Sequence, residues 1–310
     1  MIADILCLAA RHGRLLLVAG LVGGFVLPGF AAAMKPALPA MVAGLIFISA
    51  LRIGAKAAIG NLKQARTSLW VVLILQLGLP LILIAVLALT GWLATAAGMA
   101  IILAMSAPAI SGGPAFTVML GHDPAPAMRL LILGTALLPL TVLPIFWLSP
   151  ALGGPAQVIA AALRLTAVIA LTVVIAFVFR HRFFPNPKRK TVQVLDGIAA
   201  IALATIVIGL MSAVGPTLRN DPDTLIGWLA LAIGLNLGMQ ALSYAFHRAT
   251  KQIDTAVPTS IIAGNRNIAL FLVALPTPIT DQVLIFIGCY QVPMYLTPIV
   301  MKALYGRAPA

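Results

Sequence analysis

The chain alternates between long apolar stretches and short polar connections. Ten of these stretches are long enough to cross a bilayer as a helix, which takes about 20 predominantly apolar residues. They cover residues 14–30, 36–53, 68–90, 95–121, 127–148, 156–179, 195–214, 224–246, 255–275 and 281–304. The pattern predicts an all-α polytopic membrane protein with ten transmembrane helices, numbered below as predicted helices 1 to 10.

Two of the apolar stretches are interrupted by residues that break helices. In predicted helix 4, residues 106–115 read Ser-Ala-Pro-Ala-Ile-Ser-Gly-Gly-Pro-Ala. In predicted helix 9, residues 257–270 hold a proline, a Thr-Ser pair, a glycine and the triplet Asn265, Arg266, Asn267. Polar backbone and charge at membrane depth are costly unless they are buried in protein or line a wet cavity. Broken segments at matching places in two chain halves indicate a transporter's binding site, so we expect the site where predicted helices 4 and 9 meet.

Composition and charge support the membrane class. The chain is 62% hydrophobic and 9% charged, with a mean hydropathy of +1.09, whereas soluble domains carry about 25% charged residues. The net charge of +13 comes from 20 Lys and Arg against 7 acidic residues. Most of the basic residues fall in connections on one side, and the other side keeps only Lys35 and Arg219, as the positive-inside rule describes. We therefore expect lipid rather than nucleic acid as the partner, a location in the cell inner membrane, and both termini in the cytoplasm.

The most charged connection, residues 181–193, lies near mid-chain and is expected to be a cytoplasmic loop. Residues 1–180 then hold a first repeat of five helices plus predicted helix 6, and residues 194–310 hold predicted helices 7 to 10, within a single membrane domain. Because five is odd, the second half inserts upside down, which predicts an inverted five-plus-five repeat with predicted helices 4 and 9 crossing. Gln-Leu-Gly at 76–78 recurs as Asn-Leu-Gly at 236–238, in the helix before each broken one.

The candidate site residues are the polar residues and glycines of the two interruptions. A broken helix exposes backbone N–H groups at one half-helix start and carbonyls at the other half's end, so it offers a polar site with few charged side chains. Arg266 is the only full charge there, and its guanidinium either pairs with helix-end carbonyls or binds a carboxylate. The other candidates for substrate binding are Asn265, Asn267, Ser111, Gly112, Gly113, Thr259, Ser260 and Gly264.

Each of these polar side chains has an alternative structural role. The asparagines and hydroxyls bond either substrate or freed backbone carbonyls. Gln76 and Asn236, amides in the middle of predicted helices 3 and 8, form either an interhelical hydrogen bond or an ion ligand. The sequence contains no evident nucleophile–base pair, phosphate loop or metal-ligand spacing, so neither enzymatic activity nor a cofactor is expected.

These features resemble the bile acid:sodium symporter family, in its bacterial ten-span members. The resemblance covers almost the whole chain. It rests on the order of the spans, on residues 106–113, on Gly-Asn-Arg-Asn at 264–267, and on the span with Gln76, whose counterpart in that family binds sodium. It implies a secondary transporter of organic anions, bile-acid-like or small carboxylates, that works by alternating access.

The chain departs from this family at the positions that would bind sodium. Ile262 and Arg266 stand where the family has a glutamate and a glutamine, residues 113–114 replace a Ser-Asn pair, and Ala127 and Leu131 replace hydroxyl ligands. A sodium ion beside a guanidinium in a low-dielectric site would be repelled. The resemblance together with these departures predicts a transporter that is not coupled to sodium.

Two alternatives remain at the level of sequence. In one, the protein is a sodium-coupled organic anion symporter whose ligands are Gln76, Asn265, Asn267 and backbone carbonyls. In the other, it no longer transports and serves as a membrane sensor or binding module.

Overall fold

The computed structural model describes residues 2–54 and 65–306, and both ranges are helical, without a β-strand. Seven helices in these ranges are long and apolar enough to cross a membrane, or eight if the bent pair at the start of the chain counts as one span. The protein is therefore a multi-pass helical membrane protein, as its apolar pattern predicts.

The helices are named in chain order. They are α1 (Ile2–Arg11), α2 (Gly13–Val26), α3 (Pro28–Met34), α4 (Leu38–Ile53), α5 (Ala65–Leu73), α6 (Leu79–Leu89), α7 (Ala96–Ser106), α8 (Gly113–Met119), α9 (Ala125–Trp147), α10 (Pro155–Phe183), α11 (Arg189–Leu210), α12 (Val214–Asn220), α13 (Pro222–Ala249), α14 (Ile253–Gly264), α15 (Thr277–Val300) and α16 (Lys302–Tyr305). A π-helical segment (Ile74–Gly78) joins α5 to α6, and a 3₁₀ segment (Ile268–Val273) follows α14.

The predicted helices 4 and 9 are not continuous spans. The first is split into α7, of 11 residues, and the short α8, and the second into α14, of 12 residues, and the 3₁₀ segment. Each piece is shorter than the roughly 20 residues that a bilayer requires. Counting unbroken apolar helices therefore gives seven or eight spans, fewer than the ten apolar stretches of the sequence.

Some boundaries differ from the predicted ones. Predicted helix 1 ends at Val26 rather than near residue 30, because Leu27 leaves the helical conformation and Pro28 opens α3. The connection predicted at residues 181–193 is shorter, since α10 runs to Phe183 and α11 begins at Arg189. Most of the basic connection before predicted helix 3, with Lys56 and Lys63, lies outside the described residues.

The helices pack as two groups. In the first, called the panel helices (α1–α4, α10 and α11), α11 contacts α1, α2 and α4, and α10 contacts α4. In the second, the core helices (α5–α9 and α13–α15), α13 contacts α14 and α15, while α9 contacts α5 and α14. The groups meet where α4 contacts the 3₁₀ segment and where α9 contacts α10.

Glycines allow the panel helices to approach closely. A Cβ atom at Gly20 of α2 would lie 2.7 Å from the carbonyl oxygen of Ala204 in α11. Gly24, one turn later, faces the Met211 side chain just after α11 in the same way. Small residues at such contacts let helices pack in lipid, where apolar burial alone gives no driving force.

Candidate functional site

The two interrupted segments lie against each other. Ala109 and Arg266 form an antiparallel bridge, in which Ile110 N donates to Asn265 O at 3.1 Å and Asn267 N donates to Pro108 O at 2.8 Å. The α7 helix ends before Pro108 because the residue that precedes a proline is driven into an extended conformation. The short ladder satisfies backbone groups that the breaks release from their helices. The two breaks seen in the sequence thus form one structural unit, called the crossing below.

Arg266 is fully enclosed at the crossing, with only 2% of its surface exposed. Its Nε donates to Ala263 O at 2.9 Å, and its two terminal nitrogens donate to Ala107 O at 3.1 Å and Leu75 O at 3.2 Å. Ala107 follows the last turn of α7 and Ala263 lies in the last turn of α14, so both carbonyls belong to the negative ends of helix dipoles. The π-helical segment supplies the third carbonyl.

No carboxylate in the described ranges pairs with Arg266; the ion pairs found there are Lys35–Asp281, Arg52–Asp196 and Lys190–Asp4. The arginine charge is therefore offset by carbonyl dipoles and by no formal negative charge. An unpaired cation in a low-dielectric surrounding attracts anions strongly.

Arg266 lines a cavity of about 60 Å³ between the panel and core helices. Ser111, Gly112 and Asn267 also line it, and the Ser111 and Asn267 side chains form no hydrogen bond within the described part of the chain. The Tyr295 hydroxyl is buried without a partner in the same wall. The panel side of the cavity is apolar and consists of Leu17, Val42, Leu45, Leu203, Ile206 and Leu210.

Asn265 and Asn236 belong to a buried hydrogen-bond network rather than to the cavity. The Asn236 amide donates to Gly264 O at 2.6 Å and to Asn265 Oδ1 at 3.3 Å, and Thr297 Oγ1 donates to the same oxygen at 3.1 Å. Gln240 donates to Asn236 Oδ1 at 2.8 Å and to Thr297 Oγ1 at 3.0 Å. Because these polar atoms satisfy one another, the network fixes the end of α14 against α13 and α15.

The remaining candidates of α8 and α14 make structural contacts. Ser260 Oγ donates to Ala256 O at 2.5 Å within α14. A side chain at Gly264 would collide with the Asn236 carbonyl, and one at Gly113 would meet Ile262 at 2.5 Å, so both glycines mark close approaches. Thr259 lines a different cavity, away from the crossing.

Gln76 lies in the π-helical segment and is 2% exposed. Its amide nitrogen donates to Gly134 O of α9 at 3.1 Å, which makes it an interhelical contact. The same segment presents the Leu75 carbonyl to Arg266. Such π-helical turns inside α-helices are frequent at functional sites.

An apolar cluster lies beside the crossing and contains three positions singled out in the sequence. Ile262, Ala127 and Leu131 come together there, each at most 7% exposed. They pack with Val72, Ala109 and Leu130. The cluster offers a cation no oxygen ligands from its side chains.

A second cavity, of about 400 Å³, lies between α4, α9 and α10. Its wall is largely aliphatic and aromatic, with Ile46, Pro139 and Phe177 among the lining residues. The first cavity touches α4 at Val42 and Leu45, so the two cavities follow each other along that helix.

Several site residues were not predicted from the sequence. Two of them line the first cavity, Gln291 and Tyr295. Three others support the crossing, namely Gln240, Thr297 and Tyr290. Tyr290 donates its hydroxyl to Gly264 O at 2.5 Å. The available signal was the run Tyr-Gln-Val-Pro-Met-Tyr at 290–295, polar and aromatic residues within an otherwise apolar helix.

No family model matches the chain, and no curated protein matches it.

Proposed function

We propose that the protein is a secondary transporter of organic anions that works by alternating access between the panel and core helices and is not coupled to sodium. The observation that carries this proposal is the Arg266 guanidinium, which has no carboxylate partner among the described residues and lines the cavity between the two groups.

The polar groups of this cavity suit a carboxylate. Arg266 supplies the charge, and Ser111, Asn267 and Tyr295 supply hydrogen-bond donors that no described residue uses. Hydrogen bonds between such donors and an ionised acceptor are roughly twice as strong as neutral ones. A cationic substrate would be repelled by the arginine charge, since no acidic residue is among the described residues that line the cavity.

The same groups disfavour sodium. The three carbonyls that converge at the crossing are occupied by the guanidinium, which acts as a tethered cation. A sodium ion about 4 Å from it would be repelled by about 4 kcal/mol at an effective dielectric constant of about 20. The neighbouring cluster of Ile262, Ala127 and Leu131 presents hydrocarbon instead of oxygen.

We further propose ten spans in an inverted five-plus-five repeat. The seven long helices together with α2 and the two broken spans reach that number. The antiparallel pairing at Ala109 and Arg266 fits two broken helices that cross at a repeat interface. On this proposal the protein is an atypical relative of the bile acid:sodium symporters, in the inner membrane, with both termini in the cytoplasm as the positive-inside rule requires.

The cavities indicate an amphipathic substrate. The Arg266 cavity, about 60 Å³, is smaller than the roughly 300–1,000 Å³ of sites for drug-sized ligands, so the panel must move away from the core to admit an organic anion. The apolar cavity of about 400 Å³ farther along α4 would then receive the hydrocarbon part of the anion.

Thermal stabilisation of the purified protein tests the binding step. The melting temperature is measured with acetate, with benzoate and with cholate, in sodium and in potassium buffers. A ligand at 100 times its Kd adds about 2.7 kcal/mol to the free energy of unfolding. We expect a carboxylate to raise the melting temperature equally in both buffers, and we expect this rise to vanish in Arg266→Gln but not in Arg164→Gln, which alters an exposed arginine of α10.

A second variant covers the case in which Arg266→Gln does not fold. Tyr295→Phe removes only a buried hydroxyl that lacks a partner, so the protein should fold at least as well as the wild type. We expect this variant to bind the anion roughly threefold to tenfold more weakly, which is the effect of losing one hydrogen bond of about 1 kcal/mol. Stabilisation that requires sodium and survives both substitutions would instead make the protein a sodium-coupled symporter.

A further inference from the structure

A third cavity lies where three helices begin. It has a volume of about 260 Å³ and is lined by residues from the first turns of α5, α9 and α14 and from the end of α13. The N-terminus of a helix carries a partial positive charge and free N–H groups. The starts of α9 and α14 contribute partial positive charge, which Asp123, Asp254 and the C-terminal end of α13 partly offset, so the full charge in this wall comes from a side chain.

Two hydroxyls in the wall of this cavity lack a hydrogen-bond partner in the described part of the chain. Thr259 and Ser68 are 3% and 8% exposed, and neither hydroxyl has a hydrogen bond within the described ranges. Because both hydroxyls lie in the cavity wall without a protein partner, they are available to hydrogen-bond a ligand inside it.

Arg129, in the first turn and a half of α9, adds a full positive charge to this wall. Its Nε is buried without a partner, and the residue forms no ion pair in the described part of the chain. A guanidinium presents several N–H groups in a plane, which matches the oxygens of a phosphate or carboxylate.

The cavity holds no negative counterpart among its described lining residues. Asp123 lies nearby but accepts from Ala125 N at 3.0 Å, and Asp254 is exposed; neither lines the cavity. The remaining polar residues of the wall are Thr67, His247, Gln252 and Thr255. His247 donates its Nδ1 proton to Ser243 O at 2.8 Å, so its ring is held in place.

We propose that this cavity, formed by Arg129, Ser68, Thr259 and the first turns of α5, α9 and α14, is a binding site for a phosphate-type oxyanion. It is distinct from the crossing cavity, with which it shares no lining residue. Its volume lies below the roughly 300–1,000 Å³ of sites for drug-sized ligands, which favours a small anion. Free phosphate and the phosphate of a lipid headgroup share this chemistry, and the experiment below separates them.

The test measures saturable binding of radiolabelled inorganic phosphate to the full-length protein in nanodiscs of phosphatidylcholine. We expect Arg129→Gln to weaken binding roughly tenfold or more, the usual effect of losing a hydrogen bond to a charged group. We expect Thr259→Val, which keeps the shape of the side chain, to weaken it roughly threefold. Arg248→Gln, an exposed arginine in the last turn of α13, is the matched control and should bind as the wild type does.

Nanodiscs that contain phosphatidylglycerol identify the source of the anion. Displacement of phosphate by this lipid would assign the cavity to a headgroup, and unchanged binding would assign it to the free ion. Absence of saturable binding both in nanodiscs and in dodecyl maltoside, a detergent without phosphate, would overturn the proposal. Equal binding by the Arg129→Gln, Thr259→Val and Arg248→Gln variants would overturn it as well. Arg266→Gln should retain phosphate binding, so failure here is separate from failure of the transport proposal.

Discussion

At the scale of single residues, Arg266 makes the carbonyl contacts that were one of its two predicted roles, and carboxylate binding stays a prediction. Its guanidinium joins three backbone carbonyls, which stabilises the crossing, and it also lines the cavity. Pairing with helix-end carbonyls was predicted from the breaks, but which three carbonyls converge depends on how the two breaks and the π-helical segment pack. The arginine itself was predictable because a charge inside an apolar stretch demands an explanation.

Gln240 is the residue whose loss should be most damaging to the network that supports the crossing. It donates to Asn236 Oδ1 and accepts from the Tyr305 hydroxyl at 3.0 Å. Gln240→Leu keeps a similar volume but leaves these two buried groups without their partner. At about 1–3 kcal/mol for each unsatisfied group, we expect a loss of about 2–6 kcal/mol in the free energy of unfolding.

The midpoint of unfolding in a denaturing detergent measures this effect. Gln282→Leu, at an exposed position of α15, is the control and should change the midpoint little. Equal midpoints for the two variants would show that the network does not stabilise the fold.

At the scale of elements, the helix breaks were predictable and the π-helical segment was not. Each break combines glycine or proline with polar residues inside an apolar stretch, which made both breaks predictable. Isolated prolines are weaker signals, since Pro139 and Pro144 lie within the continuous helix α9. A π-helical turn has no such residue signature, and the segment around Gln76 was predicted as ordinary helix. Polar residues such as Gln291 and Tyr295 were missed because hydrophobic periodicity does not tell which face of a membrane helix meets a cavity.

The contact between α2 and α11 provides a matched pair of glycine substitutions. A Cβ at Gly20 would lie 2.7 Å from a backbone oxygen, whereas one at Gly23 would make ordinary contact at 3.6 Å with the Ile208 side chain. We expect Gly20→Ala to destabilise the protein by about 1–3 kcal/mol through overpacking. Gly23→Ala should be neutral or stabilise by up to about 1 kcal/mol, because alanine favours the helix.

The midpoint of unfolding in a denaturing detergent, measured for both glycine variants, tests this prediction. A larger loss in Gly23→Ala than in Gly20→Ala would contradict the packing described here for the panel helices.

At the scale of the whole molecule, the panel and core helices meet over a largely apolar boundary. Lys35, after α3, and Asp281, in α15, form one ion pair across it, with Nζ and Oδ1 2.8 Å apart. Both side chains are about 40% exposed, and an exposed pair of this kind contributes at most about 1 kcal/mol. Such a weak ion pair is compatible with the movement of the panel helices relative to the core helices that the proposed transport requires.

The most direct test of the proposed function is uptake by counterflow. Proteoliposomes are loaded with the unlabelled carboxylate that best stabilises the protein, and entry of the radiolabelled form is followed with sodium or with potassium on both sides. We predict equal uptake in the two salts for the wild type and for Arg164→Gln, and loss of uptake in Arg266→Gln. Uptake that stops when potassium replaces sodium would contradict the account, and a protein that binds the anion but moves none would be a sensor rather than a transporter.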